Sequence, residues 1–433
     1  MKPKAIVLVT YSASITKSLI ESLAAKGWDF TMNDFEAQRQ YRDWIKAVNP
    51  NAKVYVYRNG EAVYGTSPSG RNVTPLPEYY EALDNDAVLY KVTDPSVEVH
   101  NLNTDWDHET LIDPWNPWWK QYLYRVMEGL VSRGWTDGFF MDLLGRPTCP
   151  NQWHHPYITT TYNPNDPDYQ GYKPNIKDPR TGLPFRHYDW YLAQLDVIDY
   201  LKIMGLPIIG NAIPQGDGFW GYWQFPDRSD ELVRHMDGAM LEGAWGWSAS
   251  DLASRTEAKW KLNLDALSRI TALDRIGYHS AGTTSNPTFT CCSFLLADDG
   301  PKYNWKVGQY STMIAEPVNS LHQFDYGYEV ERVKKIGGSV YRKIYQHARV
   351  YVNASSTTSY FVEEIGITLA KQTGYIQYVE YPEPPSDNVY LTYQSIPAGI
   401  PADIEGTPIQ DGEAVEVLRG SQVKLKVPLR VEL

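Results

Sequence analysis

Two acidic residues each follow an apolar run that is typical of a buried strand. Asp142 comes directly after the run 139–141, and Glu242 comes directly after the run 239–241. Three successive apolar residues cannot all face one side of a strand, so each run predicts a strand covered on both faces in a parallel sheet. In (β/α) barrels, polar residues at the carboxyl ends of strands form the site. We therefore expect Asp142 and Glu242 to lie on one rim of such a barrel.

Paired carboxylates in this arrangement suit the cleavage of a glycosidic bond. One carboxylic acid protonates the leaving oxygen, and a second carboxylate attacks the anomeric carbon or activates water. The acid needs a dry setting that raises its pKa, and Glu242 precedes the apolar segment 243–247, so Glu242 is the predicted acid/base. Asp142 is then the nucleophile if the carboxyl groups lie about 5–5.5 Å apart, or the general base at about 6.5–9.5 Å.

Other side chains near the ends of predicted strands, or in the loops that follow, are candidates for binding a sugar. The 15 Trp and 32 Tyr exceed what a core needs, and many lie in apparent loops, which predicts an aromatic cleft for the flat faces of sugar rings. The alternative, that these rings only pack large loops, stays open. The candidates are Asn211, His279, Tyr57, Arg58, Trp245, Trp247, Trp220 and Trp153.

Four further acidic residues are weighed for a catalytic role. Asp137 flanks the same predicted strand as Asp142, but at the opposite, stability-related end, so we interpret it as structural. The remaining competitors are Asp217, Glu231 and Asp237.

We predict neither a cofactor nor a metal. No Gly-rich phosphate fingerprint follows the first strand, and Asp105, Asp107 and His108 match no metal-ligand spacing. The three cysteines form no disulfide framework. A bridge from Cys149 to Cys291 or Cys292 is left open.

Strand-like and helix-like segments alternate over about 320 residues, which predicts a (β/α)₈ TIM barrel. An open doubly wound sheet is the second choice. Two long excursions, 58–115 and 143–186, interrupt the alternation, and loops of such length in a compact domain are usually functional. The predicted strands lie near 5–10, 28–32, 53–57, 137–142, 206–211, 236–242, 275–279 and 302–305.

The C-terminal region has a different pattern. Residues 340–353 and 359–367 alternate or are rich in β-branched side chains, which is typical of strands without intervening helices. We predict a catalytic barrel over residues 1–335 and a β-sandwich-like accessory domain over 336–433. That domain would either bind carbohydrate or cover the barrel.

The net charge of −12 argues against nucleic acid or an anionic membrane as partner, because binding phosphates relies on Lys and Arg. No run approaches the roughly 20 apolar residues of a membrane span. The apolar run at the N-terminus is too short for a signal peptide, so we expect a cytoplasmic protein or one whose signal has been removed. The expected partner is a polysaccharide or an oligosaccharide; the oligomeric state is left open.

Two segments resemble known families. The segments 113–119 and 134–142 resemble a group of hypothetical glycoside hydrolases called "family-fifteen-like", and they are distantly similar to the endo-polygalactosaminidase barrels. Those families run from an Asp-Pro-x-Asn-Pro-x-Trp-type helix start into a Gly-x-Asp-Gly-x-Phe-x-Asp strand. The resemblance implies a glycosidase on a barrel, with Asp142 on strand four and Glu242 on strand six as the acid pair. The long excursions depart from the compact pattern, so no substrate is carried over.

Two functions follow from these patterns. The first is hydrolysis of glycosidic bonds by the two carboxylates. The second is a non-catalytic carbohydrate-binding or structural protein on a degenerate barrel, which would bind glycans without turnover. The sugar, the linkage, the stereochemical outcome and the endo or exo mode are not fixed by the sequence.

Overall fold

The structure is a computed structural model. It describes residues 4–8, 16–33, 36–70, 73–101, 107–146, 149, 175–211, 226–241, 245, 256–273, 275–281, 286–297, 303–307, 321, 324–379, 388–392, 402–404, 407–409, 414–418 and 425–426.

Among the described residues, the first ten strands include the eight that form a parallel sheet. Their bounds are β1 Lys4–Leu8, β2 Asp29–Met32, β3 Val54–Asn59, β4 Ala62–Tyr64, β5 Glu109–Leu111, β6 Gly138–Asp142, β7 Ile208–Asn211, β8 Gly238–Leu241, β9 Ile276–Ala281 and β10 Tyr303–Val307.

The parallel strands follow one another in the order β1-β10-β9-β8-β7-β6-β3-β2. Strand β1 pairs with both β10 and β2, so this curled sheet has the strand order of a closed barrel. All eight strands lie where the sequence predicts strands, and the parallel α/β architecture is confirmed.

Strand residues alternate between the barrel interior and the surrounding helices. One small cluster fills the described interior, with Tyr55, Phe140, Ile209 and Met240 contributed by four neighbouring strands. The residues between them pack in the main core; examples are Val54, Val56, Phe139, Met141, Ile208 and Leu241. The continuous apolar run before Asp142 therefore serves both faces of β6.

The helices of the described chain cover the outside of the sheet. Asn116 begins the helix that precedes β6 by accepting from the Trp118 N–H at 2.9 Å, with Pro117 in the first turn. The bounds are α1 Lys17–Ala25, α2 Glu36–Val48, α3 Pro77–Asp84, α4 Pro117–Ser132, α5 His187–Lys202, α6 Pro226–His235, α7 Glu257–Ala272 and α8 Pro287–Ala297.

The excursion 58–115 contains regular structure that the sequence analysis does not predict. Strands β4 and β5 pair antiparallel, and α3 follows the first of them along the chain. This strand pair contributes to a second apolar cluster that joins this excursion to the next one, 143–186. Its members are Ala62, Leu89, Val99, Leu111, Leu143, Cys149, Ile176, Phe185 and Trp190.

Antiparallel strands follow the barrel. The strands β11 Glu329–Gly337, β12 Val340–Tyr345, β13 Ala348–Asn353, β14 Tyr360–Val362, β15 Ile367–Leu369 and β16 Thr373–Tyr378 make a sheet β11-β12-β13-β16 and a hairpin β14-β15. The last strands are β17 Asn388–Thr392, β18 Ala402–Ile404, β19 Thr407–Ile409, β20 Ala414–Leu418 and β21 Leu425–Lys426.

The chain divides into two compact units, Met1–Tyr378 and Val379–Leu433. The β-rich character predicted for the C-terminal region is present, and the change from parallel to antiparallel sheets lies close to the predicted boundary at 335/336. The compact units, however, divide only after Tyr378, so the sheet β11-β12-β13-β16 belongs to the first of them. The 1–335 and 336–433 division and the sandwich arrangement stay predictions.

A carboxylate at the start of α7 joins the barrel to the antiparallel sheet. Glu257 accepts from Lys335 Nζ at 2.7 Å, Ser339 Oγ at 2.6 Å and Tyr341 OH at 2.7 Å. Burial acts to raise the pKa of Glu257, but the hydrogen bonds from these three donors outweigh it and lower the pKa. The ionised carboxylate therefore stabilises the contact.

The three cysteines are free and buried, so the bridge that the sequence left open is not formed. Across the part of the chain that the structure describes, no helix combines the length and the apolar character needed to cross a membrane.

Candidate functional site

Asp142 ends β6 between two neighbouring strands whose side chains bind it. Oδ2 accepts from the Tyr57 hydroxyl at 2.5 Å, and Oδ1 accepts from Asn211 Nδ2 at 2.7 Å. The backbone N–H of Leu143 also donates to Oδ1, at 3.1 Å. Asp142 itself is half-buried, so its carboxylate is held by donors while the residue retains access to solvent.

These three side chains form one polar layer because of the strand period. Tyr57 lies two residues after Tyr55, Asp142 two after Phe140, and Asn211 two after Ile209. The earlier member of each pair belongs to the apolar interior cluster, and residues two apart share a face of a strand. The sequence predicted Asp142 as catalytic and the other two as sugar-binding. The structure brings all three together, with Tyr57 and Asn211 bound directly to Asp142.

A buried carboxyl that the sequence analysis missed lies just beyond β3. Glu61 has a fully buried side chain that contacts Arg146 Nε at 3.2 Å and accepts from Trp190 Nε1 at 3.3 Å. Burial raises the pKa of Glu61 to about 8, against the opposing effects of Arg146 and Trp190, and the charge of Asp142 raises it further. The fold therefore holds a proton on Glu61 at neutral pH.

Glu109, on β5, is a second missed carboxyl. It accepts from Asn101 Nδ2 at 2.8 Å and from Asn59 Nδ2 at 3.2 Å. Burial raises the pKa of Glu109 to about 7, and the nearby charge of Asp142 adds to this effect. Asp142 thus has two buried carboxyls within electrostatic range, which are forced towards their neutral forms. Glu61 follows the predicted strand 53–57 by four residues and the observed end of β3 by two, a signal that the Gly- and Asn-rich composition of the excursion concealed.

No contact described in the structure joins the remaining predicted site residues to Asp142. Arg58 is half-buried and alternates to the other face of β3 from Tyr57. The backbone of His279 lies on β9, in register with Leu241, and its side chain is outside the description. Trp245 is 2% exposed and packs in the main core. Their roles in binding stay predictions. Four predicted residues lie outside the described residues: Glu242, Trp247, Trp220 and Trp153.

The described competing acids have structural partners. At the amino-terminal side of β6, Asp137 accepts from the Val54 N–H at 2.9 Å and pairs with Lys46 at 2.8 Å, which agrees with its predicted structural role. Asp237 similarly accepts from the Ile208 N–H at 2.8 Å, and Glu231 accepts from Tyr191 OH at 2.5 Å. Asp217 lies outside the described residues.

Within the described residues, no group of three or more His, Cys, Asp or Glu side chains could hold a metal ion. Asp107, one of the three residues weighed as ligands, instead accepts from Ser67 Oγ at 2.8 Å and from the Ser69 N–H at 3.2 Å.

No family model and no curated protein matches the chain, so the family resemblance of the two sequence segments stays a prediction. Several solved structures similar to this one are glycoside hydrolases. The GH36 α-galactosidase AgaA from Geobacillus stearothermophilus is 10% identical, covering 99% of this chain and 56% of that chain, with a TM-score of 0.44. The α-galactosidase from Lactobacillus brevis is 11% identical, covering 100% and 56%, with a TM-score of 0.47.

An α-amylase from Malbranchea cinnamomea is 12% identical, covering 96% of this chain and 94% of that chain, with a TM-score of 0.46. This chain spans 56% of the length of the two α-galactosidases. Likenesses at this level do not carry an activity from those proteins to this one.

Proposed function

We propose that this protein hydrolyses glycosidic bonds of a polysaccharide or oligosaccharide, with Asp142 as one of two catalytic carboxylates on a (β/α)₈ barrel. The supporting observation is the setting of Asp142. It ends a central strand on the inner face, both its oxygens accept hydrogen bonds, and the residue is half-buried rather than sealed. A carboxylate held by donors in such a place can act on an anomeric carbon or on a water molecule.

Glu242 is the proposed partner acid. It lies two positions after Met240, the same spacing that separates Asp142 from Phe140 and Asn211 from Ile209. Protonation of the leaving oxygen is the role of this residue in the proposal, and Asp142 is the nucleophile or the general base. Tyr57 and Asn211 fix the orientation of the Asp142 carboxylate while it acts.

The test is the release of reducing ends from a panel of polysaccharides by the parent protein and by Asp142→Asn and Glu242→Gln. Removal of either member of a catalytic pair should lower kcat by several orders of magnitude, because no other group takes over its bond-making or proton-transfer step. Either variant retaining full activity on a substrate that the parent cleaves would contradict the assignment.

Asp137→Asn is the matched control, since it makes the same substitution at the other end of the same strand. It should lower stability, through loss of the Lys46 pair, and leave kcat per folded molecule unchanged. If the parent binds glycans of the panel but cleaves none, the protein is a carbohydrate-binding module and the proposal is wrong.

A further inference from the structure

The turn that follows Asp142 has an unusual backbone. Leu143 has a φ of +62°, a left-handed conformation that disfavours non-glycine residues by about 1–2 kcal/mol. Gly145 also has a positive φ, of +94°, and an added Cβ there would lie 2.8 Å from Met236 Cε. The Leu143 N–H that donates to Asp142 Oδ1 is part of this turn. The direction of that N–H therefore depends on a strained conformation that the surroundings must maintain.

Two fully buried polar side chains bind the turn from different elements. Gln194, on α5, accepts from the Gly145 N–H at 2.9 Å. Glu61, after β3, contacts Arg146 Nε at 3.2 Å. The turn is thereby connected to the helix that follows it in the chain and to the preceding barrel strand.

Placing these polar groups in the core carries an energetic penalty. Gln194 is 0% exposed, and its Nε2 has no hydrogen-bond partner among the described residues. A buried polar group left without a partner costs about 1–3 kcal/mol. An apolar residue of similar size would fit α5 without that penalty, so the fold gains little stability from the Gln194 amide apart from the bond to Gly145. That bond is the contribution which distinguishes Gln194 from an apolar residue.

We propose that Gln194 is a positioning residue for Asp142, with Glu61 as its counterpart on the other side of the turn. By holding the Gly145 N–H, Gln194 keeps Leu143 left-handed, and Leu143 then keeps its own N–H on Asp142 Oδ1. The inference rests on the proposed function, in which Asp142 must be aimed at a reacting atom. Misplacing a reacting group by about 1 Å can lower a rate about 10²-fold.

The experiment compares Gln194→Met, which keeps length and removes the acceptor, with Gln194→Glu, which keeps an acceptor for the Gly145 N–H. On a polysaccharide cleaved by the parent, Gln194→Met should lower kcat about 10²-fold and change KM much less, and Gln194→Glu should restore most of the loss. Amide hydrogen exchange of residues 143–146 is measured on the same proteins and should become faster only in Gln194→Met.

Asn263→Leu is the matched control, because Asn263 is an equally buried amide on α7 whose Nδ2 donates to its own helix at Lys259 O. It should alter stability without altering kcat per folded molecule or exchange in the turn. An unchanged kcat or unchanged exchange at 143–146 in folded Gln194→Met overturns the positioning role. If the parent cleaves no polysaccharide, the proposed function fails, and the exchange measurement still decides whether Gln194 holds the turn.

Discussion

The hydroxyl of Tyr57 donates to Oδ2 of Asp142 across 2.5 Å, from the end of one barrel strand to the end of its neighbour. The Tyr57 ring also stacks on Phe140, with centroids 6.2 Å apart. The ring therefore keeps its packing contact with Phe140 even without the hydroxyl. A variant can remove the hydrogen bond to Asp142 and leave the ring contact in place.

Tyr57→Phe should keep the stacking and lose only the donor to Asp142. Because misplacing a reacting group can lower a rate about 10²-fold, we expect kcat per folded molecule to fall about 10- to 100-fold. The lost hydrogen bond to the carboxylate, worth about 1.5–3 kcal/mol, should also lower the midpoint of thermal unfolding. The measurement is reducing-end release together with a melting curve. Tyr41→Phe, on α2 outside the barrel, should leave kcat unchanged, and an equal loss in both variants would contradict the prediction.

Glu61 should make the protein less stable as pH rises. Burial raises its pKa from 4.5 to about 8, so between these values the folded state binds more protons than the unfolded state. The contribution of Glu61 to the free energy of unfolding is then fully present below about pH 4.5. It decreases as pH rises towards 8, at a limiting slope of about 1.4 kcal/mol per pH unit.

Glu61→Gln should therefore flatten the pH dependence of the free energy of unfolding, measured with urea between pH 5 and 8. Glu109 contributes in the same direction, so part of the slope should remain. Glu81→Gln, at an exposed carboxyl that pairs with Arg125, should retain the parent slope. A slope in Glu61→Gln identical to that of the parent would show that Glu61 is ionised in the folded state.

Glu257 should have the opposite pH dependence. Its pKa is lowered in the folded state, so its contribution is present above the unfolded-state pKa and is lost as pH falls through the folded-state value. Glu257→Gln should lower stability at pH 7 by about 1–3 kcal/mol and should weaken the loss of stability in acid. Asp265→Asn, which removes an exposed pair with Lys261 on the same helix, should change stability much less at either pH.

Gly374 on β16 should tolerate no side chain. A Cβ there would lie 2.6 Å from the Thr288 carbonyl oxygen and 2.7 Å from Cys292 Cβ, so Gly374→Ala should separate α8 from the sheet and destabilise the protein by about 1–3 kcal/mol.

Gly129→Ala tests the same substitution where there is room. The nearest atom to its added Cβ is Arg133 Nη2 at 3.5 Å, and a helical glycine replaced by alanine stabilises by about 0.4–1 kcal/mol. Urea unfolding of both variants should give changes of opposite sign, and a neutral Gly374→Ala would contradict the close approach of α8 and β16.

The barrel strands could be predicted because their signal is local. In the run 139–141, apolar residues serve both faces of one strand, and the polar residue that follows marks the rim. Tyr57 and Asn211 are predicted as binding residues from their positions at the ends of strands, and the two-residue period explains why the structure has them on the inner face with Asp142. These features depend only on neighbours in the sequence.

Features that depend on distant contacts could not be predicted in this way. Helix α6 is strongly polar and buries only a few side chains, including Leu232 and Val233, so its apolar pattern is weak. Strands β4 and β5 have three residues each, too few to show a period. The raised pKa values of Glu61 and Glu109 arise from burial beneath a loop whose composition gives no sign of a core.

The apolar cluster that the two excursions share limits how either excursion can be replaced. Leu89 and Leu111 from one excursion pack with Ile176 and Phe185 from the other, and the backbones are also joined by the bond from Lys177 N to Tyr90 O at 2.8 Å. Neither excursion can be exchanged alone without exposing the apolar surface of its companion. Variants with a new ligand preference are therefore expected to need both segments transplanted together, as a single module.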